Sequence, residues 1–109
     1  MDTSFSTETE NDETGRKYAA FQHSFRDPWE DDEVEVSFRF AKPTRTQIKR
    51  LQDTAARDAT KAARTLLLGV IHPGDKEEFL KRIEEFPGLI TSFSGALVKA
   101  VGISNDLGN

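Results

Sequence analysis

Residues 34–41 constrain the fold most strongly, because apolar and polar side chains alternate there with the two-residue period of a β-strand. The apolar face of this strand carries Val34, Val36, Phe38 and Phe40. Such a face must pack on other apolar surface, and an isolated two-stranded hairpin is only marginally stable in water. The strand therefore needs helices, or a second chain, to cover it.

A second strand is predicted over residues 18–26, which carry three aromatic side chains. The connection at 27–33 begins with Asp-Pro and is rich in acidic residues, as expected of a solvated turn. The two strands can then pair as a hairpin. We expect Trp29, in this turn, to be a lid over the core; the alternative is an exposed anchor for a partner.

The first helical region follows directly after the strand. Thr44 is a favourable N-cap residue, and Gln47 occupies the capping-box position three residues later. Apolar residues then recur at steps of three or four over residues 44–71, which predicts one face of a helix. A single helix of this length would be about 42 Å long. We expect a break near residues 57–60, where Asp58 can cap a second helix.

Two further helices are predicted after the His-Pro-Gly sequence at 72–74. Asp75 is expected to cap the first, and Pro87 suits the first turn of the second. Gly102 is expected to end it. The predicted buried set is Val36, Phe38, Phe40, Ile48, Leu51, Leu66, Leu67, Val70, Phe79, Leu80, Ile83, Phe86, Leu89, Ile90, Phe93, Leu97 and Val101.

The sequence thus predicts a mostly helical α+β fold, with a short N-terminal strand or hairpin followed by three to four α-helices. The predicted single domain covers residues 18–103. Residues 1–17 are expected to be a disordered acidic tail, and residues 104–109 a frayed C-terminus. Charge follows the same division, since residues 1–33 carry ten acidic and three basic side chains, whereas residues 34–109 carry nine acidic and twelve basic ones.

The sequence offers no catalytic, metal-binding or cofactor-binding constellation. The chain of 109 residues has no cysteine, so disulfides and thiolate chemistry are excluded. His23 and His72 lack neighbours at metal-ligand spacing, and no phosphate-binding loop or nucleophile elbow is present. No apolar run approaches the roughly 18 residues that a membrane span requires. We therefore expect no enzyme activity, no cofactor, no membrane partner and a cytoplasmic location.

A basic stripe on the first helical region leaves alternatives open. Arg50, Arg57, Lys61 and Arg64 fall along one side of it. These cations could follow a phosphate backbone, although no aromatic residue interleaves with them to stack on bases. A solvated helix face, or a face that holds the acidic N-terminal segment of the chain, is the favoured interpretation.

Four stretches occur in an order and spacing that are typical of one family. They are the aromatic strand that runs into Lys42-Pro43-Thr44-Arg45, the apolar run that ends at His72-Pro73, the Phe86-Pro87-Gly88-Leu89 junction, and the final helix that ends at Val101-Gly102. Across residues 34–103 the sequence resembles the small tail assembly chaperones of long-tailed bacteriophages and prophages. None of the four stretches is a catalytic motif.

The resemblance implies a non-enzymatic assembly factor that binds the apolar tape measure protein before the tail tube polymerises around it. Members of the family often self-associate, and a homo-oligomer is expected here through the strand region. The partner-binding residues that we expect are Phe38, Phe40, Phe79, Phe86 and Phe93. The β edge beside Phe38 and Phe40 could pair by strand addition, and grooves between helices could hold client helices. The alternatives are a small nucleic-acid-binding regulator and a structural virion or connector protein.

Overall fold

The structure is a computed structural model, and it describes the backbone of residues 2–11 and the backbone and side chains of residues 16–102. Strands β1, β2 and β3 form an antiparallel sheet in that order. The four helices that follow confirm the predicted mostly helical α+β fold class. The bounds are β1 Asp2–Asn11, β2 Lys17–Asp27, β3 Asp32–Ala41, α1 Arg45–Ala55, α2 Ala59–Val70, α3 Lys76–Glu85 and α4 Gly88–Ala100, with a 3₁₀ turn at Pro73–Asp75.

Strands β2 and β3 form the predicted hairpin, and their register fixes which side chains face the helices. Phe21 pairs with Phe38 on the buried face, where both side chains are almost fully covered. The neighbouring pair, Gln22 and Ser37, is exposed, because successive residues of a strand point to opposite faces. The helices therefore pack on the face that carries Phe21 and Phe38.

The backbone of Asp2–Asn11 is a strand that pairs with β2 and shifts register between Phe5 and Thr9. The sequence instead predicts a disordered segment over residues 1–17. The backbone of this polar segment forms hydrogen bonds with the edge of β2. Composition does not reveal such pairing, because backbone hydrogen bonds between strands need no buried side chain. Met1 and residues 12–15 lie outside the described part of the chain.

Five phenylalanines from the sheet and two helices form an aromatic cluster, defined as Phe21, Phe38, Phe40, Phe79 and Phe93. The Phe38 ring lies edge-on to those of Phe79 and Phe93, with ring centroids 5.1 and 5.6 Å apart. Phe40 contacts the same two rings at 5.8 and 5.6 Å. Edge-to-face pairs add to the stabilisation from burial. This cluster joins β2 and β3 to α3 and α4.

Helices α1 and α2 begin and end as the sequence predicts. Thr44 and Gln47 form the complete capping box of α1, and the Asp58 side chain accepts the Lys61 backbone N–H to cap α2. Helix α1 has no buried residue, so Ile48 and Leu51, which were predicted to lie in the core, are only half-buried. The same correction applies to the predicted core residues Leu80, Phe86 and Val101.

Asp75 is the N-cap residue of α3, as the sequence predicts, but the expected capping by its side chain is absent. The side chain is instead bound by Arg39 of β3. The Arg39 backbone N–H and Nε donate to Asp75 Oδ2 at 2.8 and 3.0 Å, and Nη2 donates to Oδ1 at 2.7 Å. A charged bidentate partner outcompetes the local backbone for a carboxylate. This ion pair ties the start of α3 to the sheet.

Helix α4 ends where the sequence predicts. Gly102 has a φ of +91° and donates its N–H to the Lys99 carbonyl, which is the left-handed C-terminal stop that glycine favours. The predicted fraying of residues 104–109 lies outside the described residues. Within the described part of the chain, no helix combines the length and apolar character needed to cross a membrane.

Candidate partner-binding surfaces

The five phenylalanines expected to bind a partner do not form a surface. Phe38, Phe40, Phe79 and Phe93 are between 0 and 3% exposed and belong to the aromatic cluster. Phe86 is half-buried, and its ring lies edge-on to that of Phe25 at 5.0 Å. In this fold the first four side chains stabilise the core and expose almost no surface to a partner.

The outer edge of β3 is closed beside Phe38 and Phe40. At Arg39 the backbone N–H is bound by the Asp75 carboxylate, and the carbonyl accepts the His72 N–H at 2.8 Å. Both backbone groups that a new strand would pair with are therefore occupied. This local cover is one of the means by which sheets protect an edge, and strand addition at this position would require it to open.

The ion pair that closes this edge has a lowered carboxylate pKa. Burial by itself raises the pKa of Asp75, but the hydrogen bonds from the Arg39 side chain and backbone, together with the positive charge, outweigh burial and bring the pKa below 3.8. His72 contributes a further favourable charge interaction. Its Nδ1 accepts the Gly74 N–H, and its ring contacts that of Tyr18 at 4.6 Å.

A groove of about 410 Å³ runs between α1, α2 and α4, and we call it the small-residue groove. Ala63 at its floor is buried, whereas Gly95 of α4 is half-buried. A Cβ atom added at Gly95 would meet no heavy atom within 4 Å, so there is open space above this position. The lining residues are Leu51, Ala55, Ala59, Thr60, Ala63, Thr91, Ser94, Gly95 and Val98.

A second groove, of about 460 Å³, lies between α1 and α2, and we call it the basic groove. It brings together Arg50, Arg57 and Lys61 of the predicted basic stripe over an apolar floor that includes Leu66. Arg64, the fourth member of the stripe, does not line it. None of the described residues that line the groove is acidic. Besides the three cations and Leu66, the lining residues are Gln47, Leu51, Thr54, Ala62, Thr65 and Gly69.

The turn between β2 and β3, which we call the Trp29 turn (residues 28–31), presents an exposed aromatic side chain. Trp29 is 87% exposed, so the predicted lid over the core is wrong and the alternative of an exposed side chain is the one observed. The buried Asp27 carboxylate accepts the backbone N–H groups of Trp29 and Glu30 at 3.0 and 3.4 Å. The turn is therefore held in shape by a residue of the hairpin.

A smaller apolar pocket of about 250 Å³ lies at the end of the hairpin remote from the turn, beside the C-terminal part of α4. Its walls include Tyr18, Phe40 and Leu97, with Lys17 and Lys42 at its border. Tyr18 is buried, and the Arg16 guanidinium lies 5.6 Å from its ring centroid.

The small-residue groove is not predicted from the sequence, because the larger apolar residues of α4 give the stronger helical pattern. Thr91, Ser94, Gly95 and Val98 also recur at helical spacing, so they form a second face of α4 beside the one that carries Phe93. That periodicity was the available signal. The basic stripe was found, but not the fact that the break before Asp58 folds it into a groove.

The sequence matches a protein family of unknown function, and the fold is similar to that of a solved structure. The profile of the family described as "Domain of unknown function (DUF6848)" matches residues 13–108. The chain is similar to a solved structure described as that of uncharacterised protein rbstp2171 from Bacillus stearothermophilus, with 28% sequence identity and a TM-score of 0.63. The match covers 76% of this chain and 82% of that chain. No curated protein matches the sequence.

Proposed function

We propose that this chain, which belongs to the DUF6848 family, is a non-enzymatic tail assembly chaperone that binds the tape measure protein of a long-tailed phage or prophage. Binding takes place in the host bacterial cytoplasm, before the tail tube polymerises. The observation that supports the proposal most is the small-residue groove between α1, α2 and α4. The sequence resemblance over residues 34–103 supplies the identity of the client.

The lining of the small-residue groove suits a client helix. Helices pack with their axes about 8–10 Å apart, and small side chains at the contact permit the closer distances. Ala55, Ala59 and Gly95 provide such side chains. The part of α4 that lines the groove runs from Thr91 to Val98, and at 1.5 Å per residue it gives about 12 Å of contact length, or about two turns of a client. An amphipathic client helix would place its apolar face here.

The location of the groove also suits reversible binding. One of its walls is α1, which has no buried residue and can therefore adjust without exposing the aromatic cluster. Thr60, Thr91 and Ser94 add hydroxyl groups at the groove, which can orient a client through hydrogen bonds. A surface of small apolar and hydroxyl side chains remains soluble when it is empty, as a chaperone released from the finished tail requires.

The test is co-expression of this chain with a candidate tape measure protein, using a variant that fills the groove. Gly95→Leu places a side chain in open space and adds helix propensity of up to about 1 kcal/mol, so the fold is retained. We expect at least a tenfold loss of client co-purification, roughly 1.4 kcal/mol. Gly88→Leu is the matched control, because it lies on the same helix, also faces open space and is outside the groove.

Two outcomes of this experiment would contradict the proposal. One is a tape measure protein whose solubility and co-purification do not depend on the chaperone. The other is equal client binding by Gly95→Leu, Gly88→Leu and the parent chain, which would remove the groove from the mechanism. Recovery of the chain from mature virions would instead favour the structural virion or connector role.

The basic groove favours one alternative function, a small nucleic-acid-binding regulator. Arg50, Arg57 and Lys61 converge there, and cations that neutralise phosphates make affinity fall steeply as salt rises. Binding to a short DNA or RNA duplex that weakens strongly with salt, and that Arg57→Ala with Lys61→Ala abolishes, would support this alternative. Salt-independent or undetectable binding would exclude it.

A further inference from the structure

The Trp29 turn is built to keep its aromatic side chain in solvent. Asp27 fixes the backbone at Trp29 and Glu30 through its carboxylate, and Arg26 forms an ion pair with Asp31. Asp31 adopts a φ of +53°, a left-handed conformation that Asp tolerates better than most residues. A large apolar ring held exposed by an ordered turn is typical of the anchors that dominate protein interfaces.

The charge around Trp29 defines the kind of surface that it fits. Glu30, Asp31, Asp32 and Glu33 follow Trp29 directly in the sequence and are all exposed. Among the salt bridges between described residues, only Asp31 of these four has a basic partner, Arg26. A matching surface must therefore combine an apolar floor with several cations that lack carboxylate partners of their own.

The basic groove of the same chain meets these requirements. Arg50, Arg57 and Lys61 line it, and within the described residues none of the three forms a salt bridge. Leu51 and Leu66 supply apolar surface. The volume of about 460 Å³ lies in the range of roughly 300–1,000 Å³ that accommodates drug-sized ligands, so an indole ring fits.

The turn of one molecule does not occupy its own groove. No residue of the Trp29 turn lines the groove, and Trp29 is 87% exposed. Phe40 pairs with Ile71 in an isolated bridge, which places the Gly69 end of the groove at the opposite end of the hairpin. Phe40 follows Asp31 by nine residue steps of extended strand, or about 30 Å, and the paired strands hold that separation.

We propose that the Trp29 turn of one copy of this chain docks into the basic groove of a second copy. The indole ring contacts the apolar floor, and the acidic residues beside it pair with Arg50, Arg57 and Lys61. The contact joins two different surfaces, so copies add head to tail unless two of them exchange turns and close as a dimer. This inference does not depend on the client protein proposed above.

The single tryptophan of the chain reports this contact directly. We expect the Trp29 emission maximum to shift to shorter wavelength as protein concentration rises, in step with an increase in sedimentation coefficient. Raising salt from about 0.05 to about 0.5 M should weaken the association, because it screens exposed charges. Trp29→Ala, and separately Arg57→Glu with Lys61→Glu, should each weaken it at least about tenfold, as expected of an interface anchor and its charge partners.

Mixing the two variants provides the most specific arm of the test. The groove variant keeps Trp29 and the Trp29→Ala variant keeps the groove, so together they can form one contact that neither forms alone. The mixture should restore the emission shift of the groove variant. Arg45→Glu with Lys49→Glu is the matched control, because it reverses two charges on α1 outside the basic groove and should associate like the parent. Circular dichroism confirms that all variants are folded.

The proposal is overturned if Trp29→Ala assembles as tightly as the parent, or if the emission maximum is constant while the sedimentation coefficient rises. It is also overturned by a chain that stays monomeric at every concentration. A monomer whose basic groove binds a short nucleic acid would assign that groove to the regulator function instead.

Discussion

The aromatic cluster and helix α1 show how differently two amphipathic segments of one small protein can be used. The cluster joins β2, β3, α3 and α4 through rings that are no more than 3% exposed. Helix α1 has an apolar stripe and a complete capping box, yet none of its residues is buried. The local sequence predicts regular secondary structure in both regions. Only the aromatic cluster is also held closed by tertiary packing.

The difference also separates stability from interaction. Helix α1 forms part of both the small-residue groove and the basic groove, whereas the rings of the aromatic cluster expose almost no surface. A helix that is weakly anchored can adapt to a ligand at low cost, since elements used in binding are commonly drawn from the less stable parts of a fold. Four predictions test this division, in decreasing order of expected effect.

The largest effect is expected from Phe93→Ala in the aromatic cluster. Phe93 is 0% exposed and contacts Phe38 and Phe40, so its truncation should lower the free energy of unfolding by about 3–5 kcal/mol. Leu51→Ala in α1 is the comparison, and a half-buried leucine should lose only about 1 kcal/mol. Urea denaturation followed by circular dichroism measures both. Similar losses for the two variants would mean that α1 belongs to the same core.

The next largest effect is expected from Asp75→Asn. A hydrogen bond to a charged group contributes about 1.5–3 kcal/mol to the free energy of unfolding. Asp75 accepts several such hydrogen bonds from Arg39. Because the pKa of Asp75 is lower in the folded state than in the unfolded chain, its contribution is fully present well above the unfolded-state pKa and is lost as the pH falls through the lowered pKa. Denaturation at pH 7 and at lower pH measures both effects.

The Asp75→Asn variant should lack the part of the acid-induced loss of stability that Asp75 causes in the parent. The difference in unfolding free energy between the parent and this variant should therefore shrink as the pH falls through the lowered pKa of Asp75. A difference that is constant down to the lowest accessible pH would show that the carboxylate charge does not contribute to the link between β3 and α3.

A smaller effect, confined to α1, is expected from Thr44→Ala. The Thr44 hydroxyl accepts the Gln47 N–H at 3.1 Å, and Gln47 Oε1 accepts the Thr44 N–H at 2.9 Å. Loss of such a cap costs about 1 kcal/mol. Hydrogen exchange should accelerate in α1 while α3 and α4 keep their protection. Equal acceleration in all helices would indicate that α1 unfolds only together with the core.

The smallest effect on stability is expected from Trp29→Ala. The side chain is 87% exposed, and surface substitutions that remove no buried contact usually change the unfolding free energy by less than about 0.5 kcal/mol. The same variant is expected to weaken self-association strongly, so binding and stability are separated at one residue. A thermal melt at low protein concentration, where association is absent, gives the stability value.

Local chemistry made the order of elements predictable from the sequence. The alternation around Phe38 indicates a strand, and the side chains of Thr44 and Asp58 mark the starts of two helices because each can satisfy a backbone N–H three residues away. Gly102 marks the end of α4 because it adopts a positive φ at no steric cost. Each of these signals acts over a few residues, and the structure confirms each of them.

Long-range competition explains what the sequence did not predict. Asp75 has the spacing of a cap, but Arg39, 36 residues away, binds it more strongly. Trp29 is apolar enough to be a lid, but Asp27 holds its turn away from the core. The phenylalanines were assigned to a partner surface because composition reveals the amount of apolar surface without revealing which of it the fold buries. Both grooves arise from helix packing, which no local pattern specifies.

Native-state hydrogen exchange over a series of low denaturant concentrations tests the division between the aromatic cluster and α1 most directly. We expect the amides of α1 to exchange through local opening, with a low free energy that changes little with denaturant. The amides of β2, β3 and α4 beside the cluster should exchange only through global unfolding, with a high free energy and a steep denaturant dependence. Amides of α1 that share the free energy and the slope of those in α4 would contradict the account.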